Sequence, residues 1–153
     1  MSEGMEGDKV KTTKKWAIAL GAILVLWLLV SLALPPKLHA KSEDGKWKAV
    51  YNVSNTAKGF WSGDLYWEGV EGKITALQFF ENDQQLTGDI EISESDYINL
   101  SAEESCEFVF MGEEPKESSD YSLLIRWENE GEEFEQTLVF DKEKRLFVVP
   151  RFE

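Results

Sequence analysis

The sequence predicts an all-β domain, an immunoglobulin-like antiparallel sandwich of seven or eight strands, preceded by one N-terminal transmembrane helix. Three observations carry that expectation. Residues 16–34 hold no charged side chain, in a chain with 16 Lys plus Arg and 29 Asp plus Glu. Beyond residue 46 the apolar side chains recur with a period of two rather than 3.6. Turn-forming residues punctuate that part at spacings of about ten residues, as in a sandwich or barrel.

The apolar run Trp16–Leu34 reads WAIALGAILVLWLLVSLAL. As a helix it would span about 28 Å, close to the roughly 30 Å of bilayer hydrocarbon. A lone segment in lipid must satisfy its own backbone groups, and only a helix does so. Pro35-Pro36 ends it, since proline donates no N–H and forces the preceding residue toward extended geometry. Lys14 and Lys15 abut the run on its N-terminal side, so residues 1–15 are expected to form a cytoplasmic tail, with the C-terminal part outside. The run is longer than the roughly 7–15 residues of a signal-peptide core. It is therefore expected to stay in the cell membrane as a single-pass signal anchor, with membrane lipid as its partner. Gly21 has Val25 four residues on, so no GxxxG face supports a helix dimer.

Residues 35–45 are expected to be a linker. With Lys37 and Lys41, and Lys46 and Lys48 just beyond, this region has the chemistry to rest against anionic head groups. Residues 46–153 are expected to be the extracytoplasmic domain. Within it Trp47, Ala49, Tyr51 and Val53 alternate with more polar neighbours, as do Trp61, Gly63, Leu65 and Trp67. Strands follow at Lys73–Phe80, more weakly at Asp89–Ser93, and at Cys106–Met111. Tyr121–Glu128 pairs across Asn129-Glu130-Gly131-Glu132 with Phe134–Phe140 in a hairpin whose Gly suits the left-handed turn position. A last run, Arg145–Phe152, contains Pro150 and so is expected at a sheet edge. Glu94–Glu104 reads either as strand at Tyr97–Leu100 or as one helical turn begun by Ser101 and Glu104.

Composition excludes several functions. One Cys and one His rule out an intramolecular disulfide, a multi-thiolate metal site and a His cluster. From Ala49 to Glu153 there are 24 acidic and 8 basic side chains, a net of −16. Such a surface repels nucleic acid and draws cationic partners. Glu-rich clusters recur, yet none matches a calcium loop, and no metal or cofactor is expected. His39 has no Ser or Cys beside it, so a nucleophilic triad is absent. Cys106 lies among Glu103, Glu104 and Glu107, which raise the pKa of a thiol and favour a structural role.

The segment Phe60–Gly69 (FWSGDLYWEG), followed by Tyr121–Glu128, an acidic turn and Gln136-Thr137-Leu138, resembles small lipoproteins and membrane-anchored extracytoplasmic proteins of Gram-positive bacteria. In these a W-x-G-x-L-x-W/Y-x-G strand precedes a W-x-(acidic)-x-G hairpin. The resemblance implies an outer-face β domain of uncharacterised role and supplies no catalytic residues. The lipidated Cys of the lipoprotein members is missing, and Trp16–Leu34 takes its place as anchor.

Trp47, Trp61, Trp67 and Trp127 fall on the apolar parity of their strands and are expected in the core. Phe60, Tyr66 and Phe79 fall on the other parity and are the expected binding residues. The expected activity is therefore non-enzymatic: a binding or assembly module contacting a protein partner, a cationic one being drawn by the acidic surface. The alternative is a small-ligand or glycan receptor using aromatics on one sheet face.

Overall fold

The computed structural model describes residues 4–54, 57–87, 90–91 and 98–144, with side chains placed outside 4–14, 32–33 and 90–91. The chain divides into two compact units, Met1–Leu34 with Lys144–Glu153, and Pro35–Glu143.

In the first unit, Gly4–Ala33 is one helix, α1. Ile23, Leu24, Val25 and Leu26 are all exposed. Four consecutive residues sweep the whole circumference of a helix, so α1 has no polar face in this stretch. Ile18, Leu20, Leu29 and Val30 extend the exposed apolar surface in both directions. Among the described residues, no helix is long and apolar enough to cross a membrane. The transmembrane helix expected over 16–34 is therefore not met by any helix among the described residues.

The second unit is a β-sandwich of two antiparallel sheets. One sheet contains β1 (Lys37–Lys41), β2 (Trp47–Val53), β3 (Trp61–Trp67), β8 (Ser105–Gly112) and β11 (Asp141–Glu143), in the order β11-β1-β2-β3-β8. The other contains β4 (Lys73–Glu81), β9 (Tyr121–Asn129) and β10 (Glu132–Val139), in the order β10-β9-β4. The far edge of β4 is paired piecewise by β5 (Gln84–Gln85), β6 (Ile90–Glu91) and β7 (Ile98–Asn99).

This strand order corrects the immunoglobulin-like expectation. Three consecutive strands, β1, β2 and β3, are neighbours in one sheet, whereas an immunoglobulin sandwich sends its third strand to the opposite sheet. The expected linker over 35–45 is also corrected, because it contains β1, which pairs with β2 and β11 and buries Leu38 and Ala40. Asn99 closes a turn rather than a helix, accepting from the N–H groups of Ala102 and Glu103 at 3.1 Å each. The expected strand Arg145–Phe152 lies outside the described residues, as does most of Asp89–Ser93.

Two tight hairpins set the registers. Glu130 (φ 52°) and Gly131 (φ 83°) join β9 to β10, and Asn82 (φ 47°) and Asp83 (φ 64°) join β4 to β5. Both central residues are left-handed in each case, as a type I′ turn requires. Between the sheets lie two aromatic groups. Trp47 packs on Trp67 and Trp127, with centroids 6.1 and 5.1 Å away, and the Trp67 indole N–H donates to the Leu100 carbonyl at 2.9 Å. At the other end Phe79 is surrounded by Tyr51, Phe108, Tyr121 and Phe140, with centroids 5.2–5.8 Å away.

Candidate functional site

The two sheets part along one side. There β8 is the last strand of its sheet and β5 lies at the edge of the other. Residues of both edges line a lateral cleft of about 560 Å³. Its floor is the second aromatic group, with Tyr51 from β2, Phe79 from β4, Phe108 from β8 and Tyr121 from β9. Its mouth carries Leu86, Phe110 and Met111, each about half exposed, and the side chains of Glu81, Glu113, Glu114 and Lys116.

Beta-bulges shape this opening. Opposite β3, extra residues enter β8 twice, between Glu107 and Val109 and between Val109 and Gly112. Phe108 and Phe110 have the same parity, yet Phe108 is buried and Phe110 is 59% exposed. The added residue turns Phe110 out of the core, as a bulge does. Met111 takes a left-handed conformation (φ 57°). Gly112 follows it because a Cβ there would overlap the Tyr51 hydroxyl. Opposite this strand, the Phe79 N–H donates to the Thr87 hydroxyl at 2.9 Å and its carbonyl accepts from the Leu86 N–H at 2.8 Å.

The loop between β8 and β9 is pinned across the cleft. The Tyr51 hydroxyl donates to the Glu113 carbonyl at 2.6 Å. The Tyr121 hydroxyl accepts from the Lys116 N–H at 2.9 Å and donates to Glu81 Oε1 at 3.2 Å. Lys116 Nζ completes the set at 3.0 Å from the same oxygen. At the far end Asn82 and Asp120 bond reciprocally, with the Asn82 N–H donating to the Asp120 carbonyl at 2.9 Å and the Asp120 N–H donating to Asn82 Oδ1 at 2.8 Å.

These contacts define the charge of the cleft. The Ser119 hydroxyl and then the Lys116 ammonium hold the Glu81 carboxyl below its ordinary range. Burial pushes both phenols up, so Tyr51 and Tyr121 stay protonated at neutral pH. With Glu81 already neutralised by Lys116, Glu113 and Glu114 form no ion pair among the described residues. Nor is there, among those residues, any group of three or more His, Cys, Asp or Glu side chains placed to hold a metal ion. The cleft presents an apolar floor, two fixed hydroxyls and the Glu113 and Glu114 carboxylates, of which Glu113 also acts electrostatically on Lys116.

The three residues singled out from the sequence do not meet. Phe60 and Tyr66 are 42% and 44% exposed, but Phe60 precedes β3 and Tyr66 lies near its far end, so they stand roughly 20 Å apart. Phe79 is 1% exposed, which corrects its assignment to an outer face. A bulge between Ile74 and Ala76 shifts the parity of β4, so Leu77 and Phe79 point inward instead of Phe80. Trp47, Trp61 and Trp67 are buried as expected, and Trp127 is partly buried. Tyr51, Tyr121, Phe110 and Met111 were not anticipated as site residues.

Cys106 is half-buried in β8. Burial, then Glu103 and Asp64, push its thiol up to about 12 from an ordinary 9.0. At pH 8 the folded chain is expected to react with iodoacetamide at least about tenfold more slowly than the same chain in urea, since only the thiolate attacks and its greater nucleophilicity offsets only part of its scarcity. Timed alkylation followed by mass measurement checks this.

No family model, no curated protein and no solved structure matches the chain.

Proposed function

We propose that the protein is a single-pass, membrane-anchored binding module, non-enzymatic, whose β-sandwich stands outside the membrane and contacts a protein partner through the lateral cleft. The observation that carries the anchor is the all-round apolar surface of α1, within a run of nineteen uncharged residues. In water each exposed Leu or Ile forgoes about 1.5–3 kcal/mol of burial, and a helix with no polar face cannot recover it by lying on a protein surface. In lipid the same side chains are at home. The sandwich, by contrast, closes its own core over Pro35–Glu143 and keeps its charge outside.

Extraction of membranes at alkaline pH tests the anchor. The full chain is expected to stay in the pellet, and a Leu24→Lys, Val25→Lys, Leu26→Lys variant to move to the supernatant. Recovery of the unaltered chain in the supernatant would end the proposal.

A second reading, a small-ligand receptor, is favoured by the cleft volume of about 560 Å³, within the roughly 300–1,000 Å³ of ligand pockets. Thermal shift across a library of amphiphilic amines separates the two readings, because a protein-docking cleft gives no stabilisation by compounds of that size.

A further inference from the structure

The free edges of the two sheets are not alike. At the outer edge of the second sheet, β10 carries Glu132, Glu133 and Glu135, all exposed. Charges on an edge strand keep other chains from pairing with it. Among the described residues, the edge beyond β4 is paired by the two-residue pieces β5, β6 and β7. At the end of the first sheet, β11 is three residues long and charged throughout. β10 also has an uncharged half, Gln136–Val139, with Val139 exposed, but among the described edges it is β8 that joins an uncharged stretch to the apolar cleft. It runs for eight residues, and its second half, Phe108–Gly112, has no charged side chain. Instead it exposes Phe110 and Met111 beside a cleft whose third apolar lip is Leu86. An unguarded edge next to an apolar recess is the arrangement by which sheets capture extended segments, with backbone pairing for affinity and a pocket for one side chain.

Charge decides what kind of segment. Glu113 and Glu114 are exposed at the cleft mouth and form no contact ion pair among the described residues, Glu113 acting on Lys116 only at longer range. Glu107 adds a third carboxylate on β8 itself. The net of −16 over Ala49–Glu153 opposes pairing with a second copy of this chain.

We propose that the cleft and the β8 edge take an extended segment of a partner protein, with one aromatic or aliphatic side chain placed over Phe79 and Phe108 and flanking lysines or arginines facing Glu113 and Glu114. The proposal rests on the binding-module reading and names the partner chemistry of that site.

The test uses the full chain in detergent micelles, so it reports on the cleft whichever side of a membrane the sandwich occupies. The probe is a peptide of roughly nine residues, long enough to span β8, with Val and Lys alternating around a central Phe; a second peptide has Glu in place of Lys. Backbone amide shifts of the isotopically labelled protein report position and affinity. Saturable shifts confined to residues 84–87 and 106–114 are expected, with the Lys peptide binding at least about tenfold more tightly than the Glu peptide at low salt. A Glu113→Gln, Glu114→Gln variant is expected to lose most of that preference. Phe110→Asp is expected to abolish binding, while Val139→Asp on the guarded edge leaves it unchanged. Equal affinity for the two peptides, shifts centred on β10, or no saturable binding at millimolar peptide would each overturn the proposal.

Discussion

Replacing Phe79 by Ala is expected to cost about 3–5 kcal/mol of unfolding free energy, the range for an aromatic side chain deleted from a packed core. Phe79 sits where rings from four strands or their connections converge, with Tyr51, Phe108, Tyr121 and Phe140 all within 6 Å of it by centroid. Their positions are fixed by both sheets, so the surroundings cannot collapse into the vacated volume without opening the sandwich. Urea denaturation followed by tryptophan fluorescence reads the effect as a lower midpoint. Phe60→Ala and Tyr66→Ala remove rings that are over 40% exposed, and are expected to shift the same midpoint far less, by about 1 kcal/mol or under. The contrast separates the residue that the sequence pattern placed outside from the two that stay there.

Gly72→Ala is the second large effect. Gly72 has φ 109°, a region that disfavours any side chain, and a Cβ there would overlap the Glu128 carbonyl oxygen. The overlap falls where β4 begins to pair with β9, at Lys73 and Glu128, and the Gly72 carbonyl also accepts from the Leu100 N–H at 3.0 Å. Backbone strain of this kind costs about 1–3 kcal/mol alone, and the steric clash adds to it. Gly131→Ala gives the comparison. Gly131 is also left-handed, at φ 83°, but nothing lies within 4 Å of a Cβ at that position. Its cost is expected near 1–2 kcal/mol, the conformational penalty by itself. Equal costs at the two positions would show that the approach of β9 to Gly72 is not close in solution.

Much of the sandwich is legible where burial alternates without interruption. Tyr121, Leu123 and Ile125 are buried in turn along β9, and Trp47, Ala49 and Tyr51 along β2. The same strict alternation is present in β1, with Leu38 and Ala40 inward. There Lys37 and Lys41 disguised it as a connector, because a five-residue strand offers only two buried side chains to set against its charges. The face of Phe79 and that of Phe110 were not legible, since each depends on a bulge, and one inserted residue reverses every side chain after it. The cleft was not legible for a different reason. Tyr51, Phe79, Phe108 and Tyr121 come from four separate strands, and only the strand order that the sheets adopt brings them together.

The proposed topology holds the sandwich on the far side of a membrane from the N-terminal tail. Labelling of introduced cysteines with an impermeant maleimide, on intact cells producing the full chain, measures it directly. Native Cys106 contributes little background, because its thiol is held protonated. Ser118 lies exposed in the loop between β8 and β9, and Lys11 belongs to the tail before the apolar run. Ser118→Cys is expected to be labelled on intact cells and Lys11→Cys only after permeabilisation. Protection of Ser118→Cys until the cells are opened would contradict the proposed topology.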